Sequence, residues 1–216
     1  MSAQKRPGYL QTVNERVVVF DGAFGTYVQG KDLTADDFGG QHLEGCNELL
    51  AVTRPDLIAA MHEDFLKVGV DALETATFGS FSIVLNEYGL AHRAYELSRA
   101  AARIARDVSD RWEAKDGRPR YVAGSIGPGT KLPSLGHIGF EELRDSYVEQ
   151  ARGLESGARL REFFRDLIAR RRESGRAQVD AVMDLHGLRQ DQAHSALRHF
   201  LFNAQASGAK LVIVIT

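Results

Sequence analysis

Cysteine is almost missing from this chain of 216 residues: Cys46 is the only one. That excludes an intramolecular disulfide framework and any cysteine-rich metal site, and it fits a reducing compartment. Long apolar runs are missing as well. No stretch approaches the ~18 residues that a membrane span needs, and the opening MSAQKRPGYLQTVNER has no apolar core of the kind a signal peptide requires. A cytoplasmic protein without a membrane partner is expected. Internal repeats and low-complexity segments are absent, and so is a large net charge. With 27 Lys and Arg against 29 Asp and Glu, the formal charge of −2 selects no strongly charged partner for the chain as a whole.

What is present belongs to ordinary globular protein: 44% hydrophobic and 26% charged residues, enough for one or two compact domains. The charge is unevenly placed. Residues 1–154 hold 17 basic against 22 acidic side chains and residues 155–216 hold 10 against 7, so the two parts carry about −5 and +3. Different partners for the two parts, or an arginine-rich solvated helix face in the second, would each produce this asymmetry.

The first part alternates strand-like and helix-like segments. The β-branched run Val17-Val18-Val19-Phe20 leads into the turn Asp21-Gly22-Ala23-Phe24-Gly25. Pro55 then stands where a first helical turn tolerates proline, and Leu57, Ile58, Met61, Phe65 and Leu66 keep helical spacing up to Gly69. Residues 70–78 fit a second strand, about 82–112 a helix broken around Gly89, 120–125 a third strand, and 140–152 a third helix. Three successive strand and helix units predict a parallel α/β sheet with right-handed crossovers, either open or part of a barrel. The polar, glycine-rich segments DGAFGTY, ETATFGS and GSIGPGTKLPS all follow strand ends, where such folds place their active sites.

After Leu154 the texture changes. Leu160, Phe163, Phe164, Leu167 and Ile168 share one face of an arginine-rich segment, which predicts an amphipathic helical connector over 155–178. Residues 179–185 then alternate toward His186-Gly187, helical spacing returns with Ala193, Leu197, Phe200, Leu201 and Ala204, and 210–216 is an apolar strand. The expected organisation is therefore 1–154, 155–178 and 179–216.

The segments FDGAFGTYVQ, GCNELL, RPDLIAAMHEDFLKVGVDALETATFGS and YVAGSIGPGTKLPS, in this order over about residues 14–154, resemble the homocysteine S-methyltransferase domain of cobalamin-dependent-type methionine synthases. The resemblance implies a TIM barrel, of which these would be the first three strand and helix units, in a fold that typically needs about 250 residues. It also implies a zinc-bound homocysteine thiolate that attacks a methyl group carried by cobalamin or another donor. By motif position Asp21 and Glu74 would hold the ammonium group of homocysteine, because an ammonium offers three donors that must be neutralised in a partly desolvated pocket. Thr77 and the backbone at Gly22 and Gly127 would add contacts. A turn-forming role for Asp21 and a structural hydrogen bond for Glu74 are the plain alternatives. The family's zinc ligands are three cysteines at the ends of the sixth and eighth strands, so no zinc site and no methyl transfer are expected from this chain by itself. His42, His62, His92 and His137 lie in separate segments with no metal-ligand spacing, and are read as surface or core histidines. A sheet of three strands would leave an open edge, and an oligomer covering it is one expectation.

Residues 182–188, followed by a helix and by AKLVIVIT, resemble the opening of the Smr (small MutS-related) domain, a small α/β unit associated with nucleic-acid binding or nicking. Asp184 and His186 form the candidate functional pair there, since strand residues separated by one point to the same side, and an Asp can orient an imidazole. A simple strand-to-helix turn at His186-Gly187 is the alternative. Arg189 is a candidate phosphate contact. Both resemblances stop in mid-domain, so truncation is expected, and a non-functional fusion of two fragments stands as a third reading beside methyl transfer and nucleic-acid binding.

Overall fold

The computed structural model describes residues 7–158, 181–184, 190–207 and 212–215. The chain divides into two compact units, Val19–Arg161 and a second that joins Met1–Val18 to Glu162–Thr216. A short helix, α1 (Tyr9–Glu15), belongs to the second.

The first unit is built on three parallel extended segments. β1 (Ala72–Glu74) lies in the middle, paired in register with β2 (Tyr121–Ala123) on one side, while Phe20 forms a single parallel bridge with Ala72 on the other. The spatial order follows the order in sequence, as right-handed strand–helix–strand crossovers produce. Two expected strands shorten to three residues each, and the expected first strand contracts to the Phe20 bridge. One side chain enters the pairing there: the amide of Val19 donates to the Asp71 carboxylate at 3.1 Å, while the Val19 carbonyl accepts from the backbone amides of Asp71 and Ala72 at 2.8 and 3.1 Å. Val19 and Phe20 are 41% and 37% exposed, as befits an edge.

Helices cover this sheet. After α2 (Phe24–Gln29) and α3 (Leu50–Thr53), α4 (Pro55–Lys67) starts on proline, with Arg54 bound to Asp56 at 2.8 Å and to Asp37. Its buried stripe is Leu57, Ile58, Met61, His62 and Leu66, and the apolar members of such a stripe hold it to the core. The helix expected over 82–112 is interrupted where the sequence suggested. α5 (Ser82–Leu85) ends in a tight turn closed by Gly89 at φ +70°, and α6 (Ala94–Asp116) resumes beyond it.

α7 (Phe140–Ala158) packs against α6 through Gly153, Leu154, Gly157 and Ala158. The helices meet so closely that a methyl group added at Gly157 would stand 2.4 Å from the Arg99 carbonyl oxygen. Leu154 is fully buried and clusters with Ala102, Ala105, Val122 and Ala158. The expected helix end near Arg152 is therefore passed: α7 runs six residues further, because residues 153–158 complete its contact with α6. Residues 159–178 of the expected connector lie outside the described residues.

At the start of the strands, Arg120 is 1% exposed and is held by Asp116 at 2.7 Å and the Arg118 carbonyl at 3.1 Å, while Arg118 pairs with Asp71 at 3.3 Å. In the second unit, β3 (Ala181–Asp184) and β4 (Val212–Ile215) pair in parallel with α8 (Gln190–Ala206) between them in sequence, the strand–helix–strand order expected. His186 and Arg189 lie outside the described residues. Among the described residues no helix is long and apolar enough to cross a membrane.

Candidate functional site

The carboxyl ends of the three parallel segments bring Asp21, Glu74 and Ser125 together, the end at which sheets of this kind carry their sites. Asp21 follows the Phe20 bridge, Glu74 closes β1, and Ser125 lies two residues beyond β2. The Glu74 amide donates to Asp21 Oδ1 at 2.8 Å, and the Ser125 hydroxyl approaches Glu74 Oε2 at 3.4 Å.

The two carboxylates play different parts. The Asp21 side chain is only 2% exposed, with His62 Nδ1 3.8 Å from its Oδ2. Glu74 is exposed, yet enough protein surrounds its carboxyl that lost hydration raises its proton affinity above the ordinary glutamate range. The negative charge of Asp21 raises it further, and the Ser125 hydroxyl opposes both. Glu74 thus offers the accessible acceptor, while Asp21 adds charge from behind and holds the backbone that carries Glu74.

Thr77 is placed differently from its expected role. Its hydroxyl is buried and donates to the Ser125 carbonyl at 2.7 Å, and it lies 2.6 Å from the Thr75 hydroxyl, which accepts from the Ser125 amide at 3.0 Å. These bonds close a ring: Ser125 amide to Thr75, Thr75 to Thr77, Thr77 back to the Ser125 carbonyl. Such rings strengthen each member. Gln150 from α7 fastens the ring by donating to the Thr77 carbonyl at 2.6 Å. Thr77 therefore locks two loops to each other.

Gly127 is buried, its amide donating to the Phe78 carbonyl at 2.9 Å and its carbonyl accepting from the Tyr147 hydroxyl at 3.0 Å. A β-carbon there would stand 2.6 Å from the Phe78 oxygen, so the approach of the two loops requires glycine. Gly22 is exposed beside Asp21, with the Phe65 ring 3.4 Å from where its β-carbon would be. Phe78, 58% exposed, stands above Gly127.

Several participants were not singled out from sequence. Ser125 and Thr75 lie inside the motifs GSIGPG and ETATFGS, but a motif does not tell which hydroxyl faces its neighbour. Gln150 looks like any polar residue of a surface helix. Glu48, in GCNELL, accepts the Gly79 amide at 2.9 Å and so anchors the loop after β1. Its only sequence signal is its place in a quoted segment.

Among the described residues no three His, Cys, Asp or Glu side chains are grouped as metal ligands. Cys46 is buried at 1% exposure, and burial, with Glu48 beside it, pushes its thiol up to about 11, the wrong direction for a thiolate ligand. His62 is fully buried, and His42, His92 and His137 are exposed in separate segments. Asp184 is on β3, and its partner in the expected pair, His186, is outside the described residues.

The sequence profile described as "Homocysteine S-methyltransferase" matches residues 18–193, and that of the "Smr domain" matches residues 183–216. Methionine synthase of Mycobacterium tuberculosis is 49% identical over 148 residues, 68% of this chain, and that of Mycobacterium leprae is 47% identical over the same length. The matched part spans 12% of the length of each of these relatives. Among solved structures, the homocysteine methyltransferase MmuM from Escherichia coli in its metallated form is similar, with TM-score 0.62, 18% identity, and 94% of this chain and 93% of that one covered. Its oxidized form matches with TM-score 0.62 and the same identity, covering 92% of this chain and 91% of that one. These likenesses show a fold of the TIM-barrel-type methyltransferases.

Proposed function

This chain belongs to the homocysteine S-methyltransferase family, and we propose that residues 19–158, as the first three strand and helix units of a TIM barrel, carry the amino-acid-binding side of such a site without its metal-binding side. The observation that carries the proposal is the placement of Glu74 and Asp21 at adjoining strand ends, one accessible and one buried behind it. An ammonium group brought to Glu74 meets an accessible carboxyl group that can accept its protons, with the nearby Asp21 carboxylate adding to the attraction. The Ser125 hydroxyl is within reach of the same carboxylate. The Thr75, Thr77, Ser125 and Gln150 bonds keep the two loops from yielding, which preserves the geometry that a charged ligand meets.

Methyl transfer to sulfur needs the homocysteine thiol ionised, and in this family zinc supplies that ionisation. Nothing among the described residues offers a thiolate set, so we assign binding of homocysteine to these residues and no methyl transfer to them. The test pairs equilibrium dialysis of labelled homocysteine with zinc analysis and a methylation assay. Binding without stoichiometric zinc or methionine formation is expected; turnover by this chain alone would contradict it.

A second reading concerns residues 179–216 and is favoured by the Smr match and the parallel β3–α8–β4 unit. There Asp184 and His186 would form a polar pair, and Arg189 with the arginines of 159–176 would meet nucleic-acid phosphates. Salt-dependent binding of a short RNA or DNA duplex is the expected result, and its absence at low salt would remove this reading.

A further inference from the structure

His62 lies on the buried stripe of α4 with Ile58, Met61 and Leu66, and is itself fully buried. Neither of its ring nitrogens has a hydrogen-bond partner. Buried polar side chains are nearly always paired, so an imidazole idle at both nitrogens calls for a cause. The carboxylate it faces is Asp21, whose Oδ2 stands 3.8 Å from Nδ1. That is roughly 0.8 Å beyond hydrogen-bond length. The other oxygen of Asp21 accepts the Glu74 amide. One nearly buried carboxylate therefore lies between the imidazole and the backbone that carries Glu74.

We propose that His62 is a positioning residue for amino-acid binding: its Nδ1–H closes onto Asp21 Oδ2 when an ammonium group docks at Glu74, fixing the rotation of the Asp21 carboxylate so that its Oδ1 keeps the Glu74 amide. The inference rests on the ammonium-binding reading above. Hydrogen bonds in sites without ligand are commonly long and tighten when the ligand binds. A neutral imidazole with its proton on Nδ1 meets the requirement, leaving Nε2 toward the interior. No covalent bond is made or broken in the process. His62 acts on the ligand only through Asp21.

The test uses the full chain with L-homocysteine under reducing conditions. His62→Leu keeps an apolar volume in the core but removes the donor, and it should weaken homocysteine binding about tenfold while the folded spectrum is retained. His62→Asn, whose amide can donate from nearly the position of Nδ1, should restore binding to within about threefold of the parent. A core histidine of purely structural value would show no such rescue. In the parent protein, an imidazole N–H proton protected from exchange should appear on saturation with homocysteine, and it should be absent in Asp21→Asn. This signal carries the test even if His62→Leu does not fold, and its absence in the bound parent overturns the proposal. Parent-level binding by a folded His62→Leu, or a His62→Asn as weak as His62→Leu, overturns it too. If the parent binds no homocysteine at all, the ammonium reading fails and this inference falls with it, a result distinct from parent-level binding in the variants.

Discussion

Asp21 reaches across 53 positions of sequence to accept the amide proton of Glu74 at 2.8 Å. One buried side chain thereby ties the first extended segment to the end of β1 and sets where the accessible carboxylate stands. Removing its charge without removing its acceptor separates the two effects. In Asp21→Asn the amide oxygen can still accept the Glu74 N–H, so the fold should persist. The Glu74 carboxyl should lose protons at lower pH than in the parent, because the charge of Asp21 is one cause of its raised proton affinity. A carboxyl-carbon NMR titration of Glu74 measures this directly, and an unmoved or upward-shifted titration would contradict it. Asp21→Leu removes the acceptor as well and should destabilise the unit by about 1–3 kcal/mol, the cost of leaving a buried donor unpaired.

Stability should respond to pH with opposite signs at two places. Glu74 binds its proton more tightly when folded, so its contribution is full below the ordinary glutamate range and is lost as pH rises through its raised value. Glu74→Gln should therefore raise the melting temperature at pH 7 relative to the parent, with the advantage vanishing in acid. Asp116 is lowered by the Arg118 amide, against the opposing effect of its burial, and further by the Arg120 guanidinium. Its contribution is present above the ordinary aspartate range and is lost as pH falls through the depressed value. Asp116→Asn should lower the melting temperature at neutral pH and converge on the parent in acid. Melting curves at the two pH values check both signs.

Thr77→Val keeps the shape of the side chain and removes the hydroxyl that closes the ring with Thr75 and Ser125. A loss of about 1–3 kcal/mol is expected, since the Ser125 carbonyl and the Thr75 hydroxyl lose a partner. Amide exchange should quicken at Ser125 and Gly127 more than in α4. Uniform acceleration throughout the unit would contradict the local role.

Leu154→Ala should cost about 2–5 kcal/mol, as a fully buried leucine truncated in a packed cluster does. Gly157→Ala should cost about 1–3 kcal/mol by forcing α7 from α6. Denaturant unfolding measures both, and changes below about 0.5 kcal/mol would mean that residues 153–158 lie outside the packed unit.

The alternation of strand and helix was legible because Leu57, Ile58, Met61 and Leu66 repeat at helical spacing and Gly89 interrupts a long helical pattern. The family was legible because four separate segments occur in order. Strand length was not, since Asp71 takes the Val19 amide with a side chain, and no periodicity records that choice. The change of texture after Leu154 marks where arginines accumulate, yet α7 and its packing continue to Ala158. Small residues explain the difference: Gly153, Gly157 and Ala158 carry no hydrophobic signal, while their small size is what admits α6. Asp21 and Glu74 were singled out by motif position, but their division into a buried and an accessible carboxylate depends on neighbours far away in sequence, Asp21 and Glu74 themselves lying 53 positions apart. His62 is on the right face of α4 for a core residue, and only the fold places it opposite Asp21.

The most direct test of the central claim is a calorimetric titration of L-homocysteine into the full chain and into Glu74→Gln at pH 7 under reducing conditions. Saturable binding at one site by the parent, weakened at least about tenfold in Glu74→Gln, is predicted from the loss of a charge-assisted contact. Equal affinities for the two proteins, or no binding by the parent, would contradict the assignment of Glu74 and Asp21 to the amino-acid ammonium.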